Sequence, residues 1–311
     1  MTITQLQYII AVDTYRHFAT AAKESYITQP TLSMQIQKLE DDLATKIFDR
    51  SKQPVIPTLV GEEIIKQARI ILHEVKMMEQ LIKDKQGILK GELRIGIIPT
   101  LAPYLLPLFL QSFLKKYPEV RLKVKEMTTE LIIEKLKSGR IDAGLLVTPL
   151  NDNSIIENKL FYEELVAYVS ESSDAYKKNY LLADDIDLKE LWLLEEGHCF
   201  RSQIINLCEL KKQTKEQSHF EYEAGSVETL RKMVEKNNGI TILPELATLD
   251  FTTKQLNMVR HFNEPMPVRE VSLVTHRNYV KKKLLDVLKE EILNILPEKI
   301  KHNKNNNITK I

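Results

Sequence analysis

Between Gly61 and about Gly87, apolar residues recur at alternating steps of four and three: Ile64, Ala68, Ile71, Val75, Met78 and Ile82. This is the heptad seam of one uninterrupted helix, a rod roughly 40 Å long at about 1.5 Å per residue. Its length, and its place between two compact regions, predict a dimerising linker rather than a helix packed only on its own core. Residues 1 to about 58 carry short helical periods without a glycine and end in the proline-punctuated "SKQPVIPT", the pattern of a small helical unit with a wing. After "GILKGELRIGIIPT" the period changes. "ELRIGII", "RLKVKEM" and "IDAGLLV" read as strands, separated by helices in "LAPYLLPLFLQSFLKKYP" and in "TELIIEKLKSGR", closed by Gly139. A second round follows with "YEELVAYVS", the helix "SVETLRKMVEKNNG" capped by Gly239, "ITILP", "EVSLVTH" and a last helix from about Val280 to Leu296. Such alternation predicts βαβ units with a parallel sheet, here in two α/β lobes.

The expected fold class is therefore α/β with an all-α N-terminal part. Its expected divisions are residues 1–58 for the helical unit with its wing, 59–89 for the linker helix, and 90–297 for two lobes. Lobe 1 takes about 90–162 and 266–297, lobe 2 about 163–265. Residues 298–311, "EKIKHNKNNNITKI", have no apolar period and are expected to form a disordered tail.

"FATAAKESYITQPTLSMQIQKLEDDL" reads as helix, turn, helix. Ala19, Ala21 and Ala22 are small enough for close helix approach, Tyr26 and Ile27 cover the turn, and Thr28, Gln29 and Pro30 open the second helix. Leu32, Ile36 and Leu39 form its buried stripe, which turns Thr31, Ser33, Met34, Gln35, Gln37 and Lys38 outward. Hydroxyls and amides on an exposed helix face match the donors and acceptors of base edges in the major groove.

Composition narrows the class. A chain of 311 residues, 43% hydrophobic and 28% charged, buries ordinary cores and is not a disordered tail. The longest apolar runs, such as "YLLPLFL", fall short of the roughly 20 residues that cross a bilayer, so a cytoplasmic protein without a membrane partner is expected. Net charge is +1, and residues 1–58 hold six basic against six acidic side chains. Phosphate contacts must come from placement, with Lys46, Arg50 and Lys52 in the wing and helix N-termini assisting. No glycine-rich phosphate loop or catalytic triad accompanies the βαβ pattern, which disfavours an enzyme. The two cysteines, Cys199 and Cys208, lie in "GHCFRSQIINLCEL". Read from composition alone they are either core residues or a switch, and with His198 and His219 they match no common zinc spacing, so neither metal nor cofactor is expected.

The run from "LQYIIAVDTYRHFATAAKES" to "PTLVGEEII" resembles the DNA-binding half of LysR-type transcriptional regulators, through "A-T-A-A", "Q-P-T-L-S", "I-x-x-L-E-x-x-L" and "I-F-x-R" at family spacing. The resemblance runs nearly the whole chain. It implies a winged helix-turn-helix at about 18–37, a long linker helix and a two-lobed, periplasmic-binding-protein-like effector domain. It also implies DNA contacts among Gln29, Pro30, Thr31, Ser33, Gln35, Lys38, Arg50 and Lys52, and a dimer of dimers on double-stranded DNA, with RNA polymerase a further partner. Val60 departs from the alanine common in the family's wing.

"LEEGHCFRSQIINLC", "GSVETLRKMVEKNNGITILP" and the pair Thr100 and Thr129 are similar to the peroxide-sensing members of that family. The similarity implies Cys199 as peroxidatic thiol, Cys208 as resolving thiol, a Cys199–Cys208 disulfide, and a thiol reductant of the glutaredoxin or thioredoxin type. His198 and Arg201 would favour the thiolate that a free cysteine, with pKa near about 8.5, mostly lacks at neutral pH. Thr100 and Thr129 would hydrogen-bond hydrogen peroxide, although both also suit ordinary helix caps. Arg269 would contact the cysteine region, although a surface ion pair would also explain it. Ser202 stands where such sensors often carry aspartate. If residues 199–208 are helical, nine steps of about 100° separate the two α-carbons by roughly 13 Å on opposite faces, against about 7 Å for a disulfide. Closing the bridge then requires local unwinding. The alternative within the family is a small organic effector in the lobe cleft, with inert cysteines.

Overall fold

A computed structural model of the chain describes residues 1–85, 89–186, 190–195, 199–207, 224–277, 279 and 282–301. Contacts divide the chain into two compact units that part near residue 88, with residues 135–140 grouped with the first.

The first unit begins with α1 (Ile3–Tyr15), α2 (Phe18–Glu24) and α3 (Gln29–Asp42). Each has a side-chain cap of the kind that satisfies orphan N–H groups at a helix start. Thr2 and Gln5 cap reciprocally before α1, His17 accepts from the Thr20 N–H, and Thr28 accepts from the Thr31 N–H with Pro30 in the first turn. Leu6, Ile9 and Val12 meet Ala21, Ala22, Leu32, Ile36 and Leu39 in one core. Two expectations change here. Ala19 faces outward and takes no part in helix approach. Tyr26 sits at φ 57° with its side chain 95% exposed, so the turn is covered by Ile27 alone of the pair.

The wing is a two-residue ladder, β1 (Phe48–Asp49) paired antiparallel with β2 (Ile56–Pro57). Helix α4 (Leu59–Lys85) follows directly. A Cβ at Gly61 would stand 2.0 Å from the Ile47 carbonyl oxygen, so only glycine lets α4 start this close to the wing. The neighbouring Val60 is 51% exposed, and its departure from the family's alanine disturbs no packing. The heptad seam proves to be divided. Ala68 is buried in the unit's own core beside Ile65, Ile64 and Ile71 pack partly against it, and Met78 further along is 69% exposed.

The second unit holds β3 (Gly91–Ile97), α5 (Ala102–Lys116), β4 (Val120–Glu126), α6 (Thr129–Lys137, its last three residues grouped with the first unit), β5 (Ala143–Thr148), β6 (Ile155–Val169), β7 (Tyr180–Leu181) and α7 (Cys199–Leu207). It continues with α8 (Val227–Lys236), β8 (Ile240–Pro244), α9 (Thr253–Leu256), β9 (Val259–Phe262), β10 (Val268–His276), α10 (Lys282–Ile295) and α11 (Glu298–Lys301). The strands run in the order β4-β3-β5-β10-β6-β9-β7, with β8 also on β6. The expected parallel sheet is mixed. β3 is parallel to β4 and β5, whereas β10 is antiparallel to both β5 and β6. The long β6 carries the chain out of the first lobe and β10 brings it back, so these two must oppose. β6 changes partners along its length, pairing β10 through Glu164 and β8 from Leu165. The second lobe has its own core, built on Leu165–Val169, Phe200, Ile204, Leu230 and Val234.

Two further expectations are corrected. Helix α8 ends at an extended Asn237, and Gly239 lies at φ +135°, outside the left-handed cap region, against the Trp192 ring. Residues 298–301, expected in a disordered tail, are helical in α11 with Ile300 buried; residues 302–311 lie outside the described residues.

Candidate DNA-reading face and candidate sensor site

Helix α3 buries Leu32, Ile36 and Leu39 completely and leaves Gln29, Pro30, Thr31, Met34 and Lys38 exposed, with Ser33, Gln35 and Gln37 half-buried. The polar face is partly organised in advance. Gln5 Nε2 donates to the Gln35 carbonyl at 3.3 Å and to its side chain at 3.4 Å, and the Thr28 and Thr31 hydroxyls are 2.8 Å apart. Lys52 is exposed in the wing.

Arg50 is held from three sides. Its Nη1 donates to Ser33 Oγ at 3.1 Å, its Nη2 to Glu40 Oε2 at 3.4 Å, and its guanidinium lies 5.0 Å from the Phe18 ring centroid. Lys46 reaches the same Glu40 oxygen at 3.3 Å. The other oxygen of Glu40 accepts the Ile47 and Phe48 N–H groups at 2.9 and 3.3 Å. Glu40 was not among the residues expected to act on this face. Its signal was available: it follows Leu32 and Ile36 by steps of four, and an acid on an apolar stripe must have partners.

In the second unit Arg269 is fully buried on β10, which removes the surface ion pair as its explanation. Its Nε donates to Glu163 Oε2 at 2.8 Å, its Nη1 to Thr100 Oγ1 at 3.1 Å and its Nη2 to the Thr100 carbonyl at 3.1 Å. The guanidinium also lies 5.2 Å from the ring centroid of Phe200, the second residue of α7. One buried cation thus joins β6, the loop after β3 and the helix that Cys199 begins. Glu163, equally buried, accepts the Leu246 N–H at 2.8 Å with its remaining oxygen. Burial pushes its carboxyl above the usual range, and Arg269 and the Leu246 N–H oppose that. The alternation Phe161, Glu163, Leu165 on a strand puts an acid among buried residues, a sign of a partner that sequence reasoning left unused.

Thr100 is not a helix cap: Leu101 precedes α5, and the Thr100 hydroxyl serves Arg269. Nor does Thr129 cap α6, since the Leu131 N–H donates to Thr128; Thr129 is its first, buried residue. Arg201 donates to the Leu194 carbonyl at 2.6 Å and so helps fasten α7 to the second lobe. Cys199 opens α7, whose helical backbone is described through Leu207; His198, Cys208 and His219 lie outside the described residues. Ser202, one turn into α7, is exposed.

Comparison with known proteins matches residues 3–62 to the bacterial regulatory helix-turn-helix protein, lysR family, and residues 86–296 to the LysR substrate binding domain. The hydrogen peroxide-inducible genes activator of Haemophilus influenzae is 36% identical over 274 residues, 88% of this chain and 90% of that protein. The DNA-binding transcriptional dual regulator OxyR of Escherichia coli K12 is 34% identical, covering 88% and 89%. Full-length OxyR C199D from Pseudomonas aeruginosa superposes with a TM-score of 0.79 at 31% identity, over 95% of this chain and 99% of that one. With both of its halves matched and a relative this similar along most of its length, the chain belongs to the LysR family of DNA-binding transcriptional regulators, and its relatives there include OxyR and other hydrogen peroxide-inducible genes activators.

Proposed function

We propose that this regulator senses hydrogen peroxide through Cys199 and Cys208 and controls oxidative-stress genes. The observation that carries the reading is the buried guanidinium of Arg269, which ties Thr100 to Phe200 beside Cys199. A cation against the α7 residue Phe200, with a hydroxyl bonded to that cation, supplies groups that can favour a thiolate and orient a peroxide. The Cys199 thiolate attacks one peroxide oxygen, the O–O bond breaks, and with one proton taken up the products are a sulfenic acid and water. The Cys208 thiol then displaces the sulfenic oxygen as a second water, leaving a disulfide. Two thiols lose two electrons in all, and one peroxide gains them. A thiol reductant of the glutaredoxin or thioredoxin class returns those electrons in the reverse direction.

Because Cys199 lies in a helical backbone, closing the bridge unwinds at least part of α7, and Phe200 and Ile204 are anchored in the second lobe's core. Repacking there alters how regulatory units pair within a dimer of dimers, and with it the spacing of the reading helices on DNA. Thr129, His198 and Arg201 assist at the peroxide site in this scheme. Gln29, Pro30, Thr31, Ser33, Gln35, Lys38, Arg50 and Lys52 contact DNA, and RNA polymerase is the downstream partner.

Mass spectrometry after one equivalent of hydrogen peroxide tests the chemistry. The reading expects loss of two hydrogens in the wild type and a trappable sulfenic acid at Cys199 in Cys208→Ser. An unchanged mass with two free thiols would sink it and leave the small-effector alternative.

A further inference from the structure

Glu40 stands outside every DNA contact assigned above, yet it is almost fully buried at the end of the reading helix and uses both carboxylate oxygens. The two oxygens have different work. Oε1 closes the loop into the wing by accepting the Ile47 and Phe48 N–H groups. Oε2 takes the cations Lys46 and Arg50 at 3.3 and 3.4 Å. Arg50 then spans from this oxygen to Ser33 Oγ on α3, with Phe18 of α2 beneath its guanidinium.

We propose that Glu40 is a positioning residue for sequence discrimination: it fixes Arg50 in one bridging geometry, so that Arg50 and Ser33 meet DNA as a single preset unit. A free arginine side chain loses several rotors when it docks, and that cost falls on every sequence alike. An arginine already forked between a carboxylate and a hydroxyl presents its remaining donors along fixed directions. Only an acceptor placed on that line, on a base edge or a phosphate set by the local groove, receives them well. The geometry requires a guanidinium. A lysine at position 50 keeps the charge but cannot span two acceptors with directional donors. It also requires an anion at Oε2, since a neutral amide there would turn its own N–H toward Arg50.

Glu40→Gln separates the two oxygens' tasks, because an amide oxygen can still accept the two backbone N–H groups. The full chain is titrated with the duplex that wild type enriches from a random-sequence library, and separately with a scrambled duplex, across a salt series. Glu40→Gln should bind the enriched duplex about ten-fold more weakly, the scale of one directional contact. Binding to the scrambled duplex should hold or strengthen, because a negative charge has been removed, so the ratio between the two collapses. Arg50→Lys, at an exposed position, should lower the ratio similarly while keeping the salt slope, since the charge is retained. In the Arg50→Lys background, Glu40→Gln should have almost no further effect on the ratio. The proposal is overturned if Arg50→Lys leaves the ratio within about two-fold of wild type, where a directional contact is worth more. It is equally overturned if Glu40→Gln lowers the ratio as much in the Arg50→Lys background as alone. The Arg50→Lys arm decides even where Glu40→Gln unfolds.

Discussion

Arg269 and Glu163 face each other across the β10–β6 ladder, 2.8 Å apart, with neither side chain reaching solvent. A pair this deep is worth little net stability, because removing two charges from water costs about what their attraction returns. Breaking it on one side is another matter. Arg269→Met should cost about 3–5 kcal/mol in urea unfolding, since it leaves a carboxylate buried without its cation. Adding Glu163→Leu should recover much of that loss, with the link to Thr100 already removed by Arg269→Met. A double variant no more stable than Arg269→Met would show that the pair is not coupled as its geometry requires.

Thr100→Val removes the hydroxyl that accepts from Arg269 and leaves the carbonyl contact in place. Under the proposed chemistry, thiol oxidation by peroxide should slow on the order of ten-fold, while stability falls by about 1–2 kcal/mol for the lost acceptor. Stopped-flow oxidation kinetics set beside urea melts distinguish the two effects. An unchanged rate would remove Thr100 from the peroxide site.

Gly239 leaves no room for a side chain: a Cβ would stand 2.3 Å from Trp192 Nε1 and 2.6 Å from the Glu190 carbonyl, at a positive φ. Gly239→Ala should therefore destabilise the second lobe by about 2–4 kcal/mol. Trp192 is the chain's single tryptophan and reports the loss directly as an earlier fluorescence transition. DNA binding by the first unit's helices should persist at temperatures below that transition.

Glu235 accepts hydrogen bonds from Tyr168, Arg231 and Gln255 at 2.6 to 3.0 Å. Burial alone would push its carboxyl up, but the Gln255 and Tyr168 bonds and the Arg231 charge outweigh it and hold the group below its ordinary value. A carboxyl depressed in the fold contributes stability above its unfolded pKa and loses it as pH falls through the lowered folded value. Glu235→Gln should accordingly be less stable than wild type near neutrality, with the gap closing from about pH 5 downward. Thermal melts across that range check it, and a gap independent of pH would contradict the assignment.

Met78 exposes 69% of its surface on α4, and Val75 one turn before it is half-buried. Val75→Glu combined with Met78→Glu should break the linker-helix pairing, so that the proposed dimer of dimers falls to two chains in sedimentation equilibrium, and leave the first unit's own core unchanged. Unaltered mass would place the dimer contact elsewhere.

Periodicity was sufficient to locate most elements, because local spacing alone determines which face of a helix or strand is apolar. Thr28 and Pro30 announced the start of α3, and the stripe Leu32, Ile36, Leu39 predicted its buried side. Gly61 marked the foot of α4. What the spacing could not supply was direction and partnership over long separations. Alternating strands and helices predict parallel pairing, yet β10 returns beside β6 from more than a hundred residues away and reverses the sense of the sheet. Half of the heptad seam is consumed by its own unit, which no count of intervals along α4 distinguishes from a free face.

Buried charges show the same division. Sequence alone determined that Glu40 and Glu163 sit at apolar positions, on a helix repeat of four and a strand repeat of two. Only the tertiary structure decided that their partners are Arg50, ten places beyond Glu40, and Arg269, 106 residues beyond Glu163. A charge withdrawn from water takes whichever opposite charge the fold delivers, and chain distance carries no information about which one that will be.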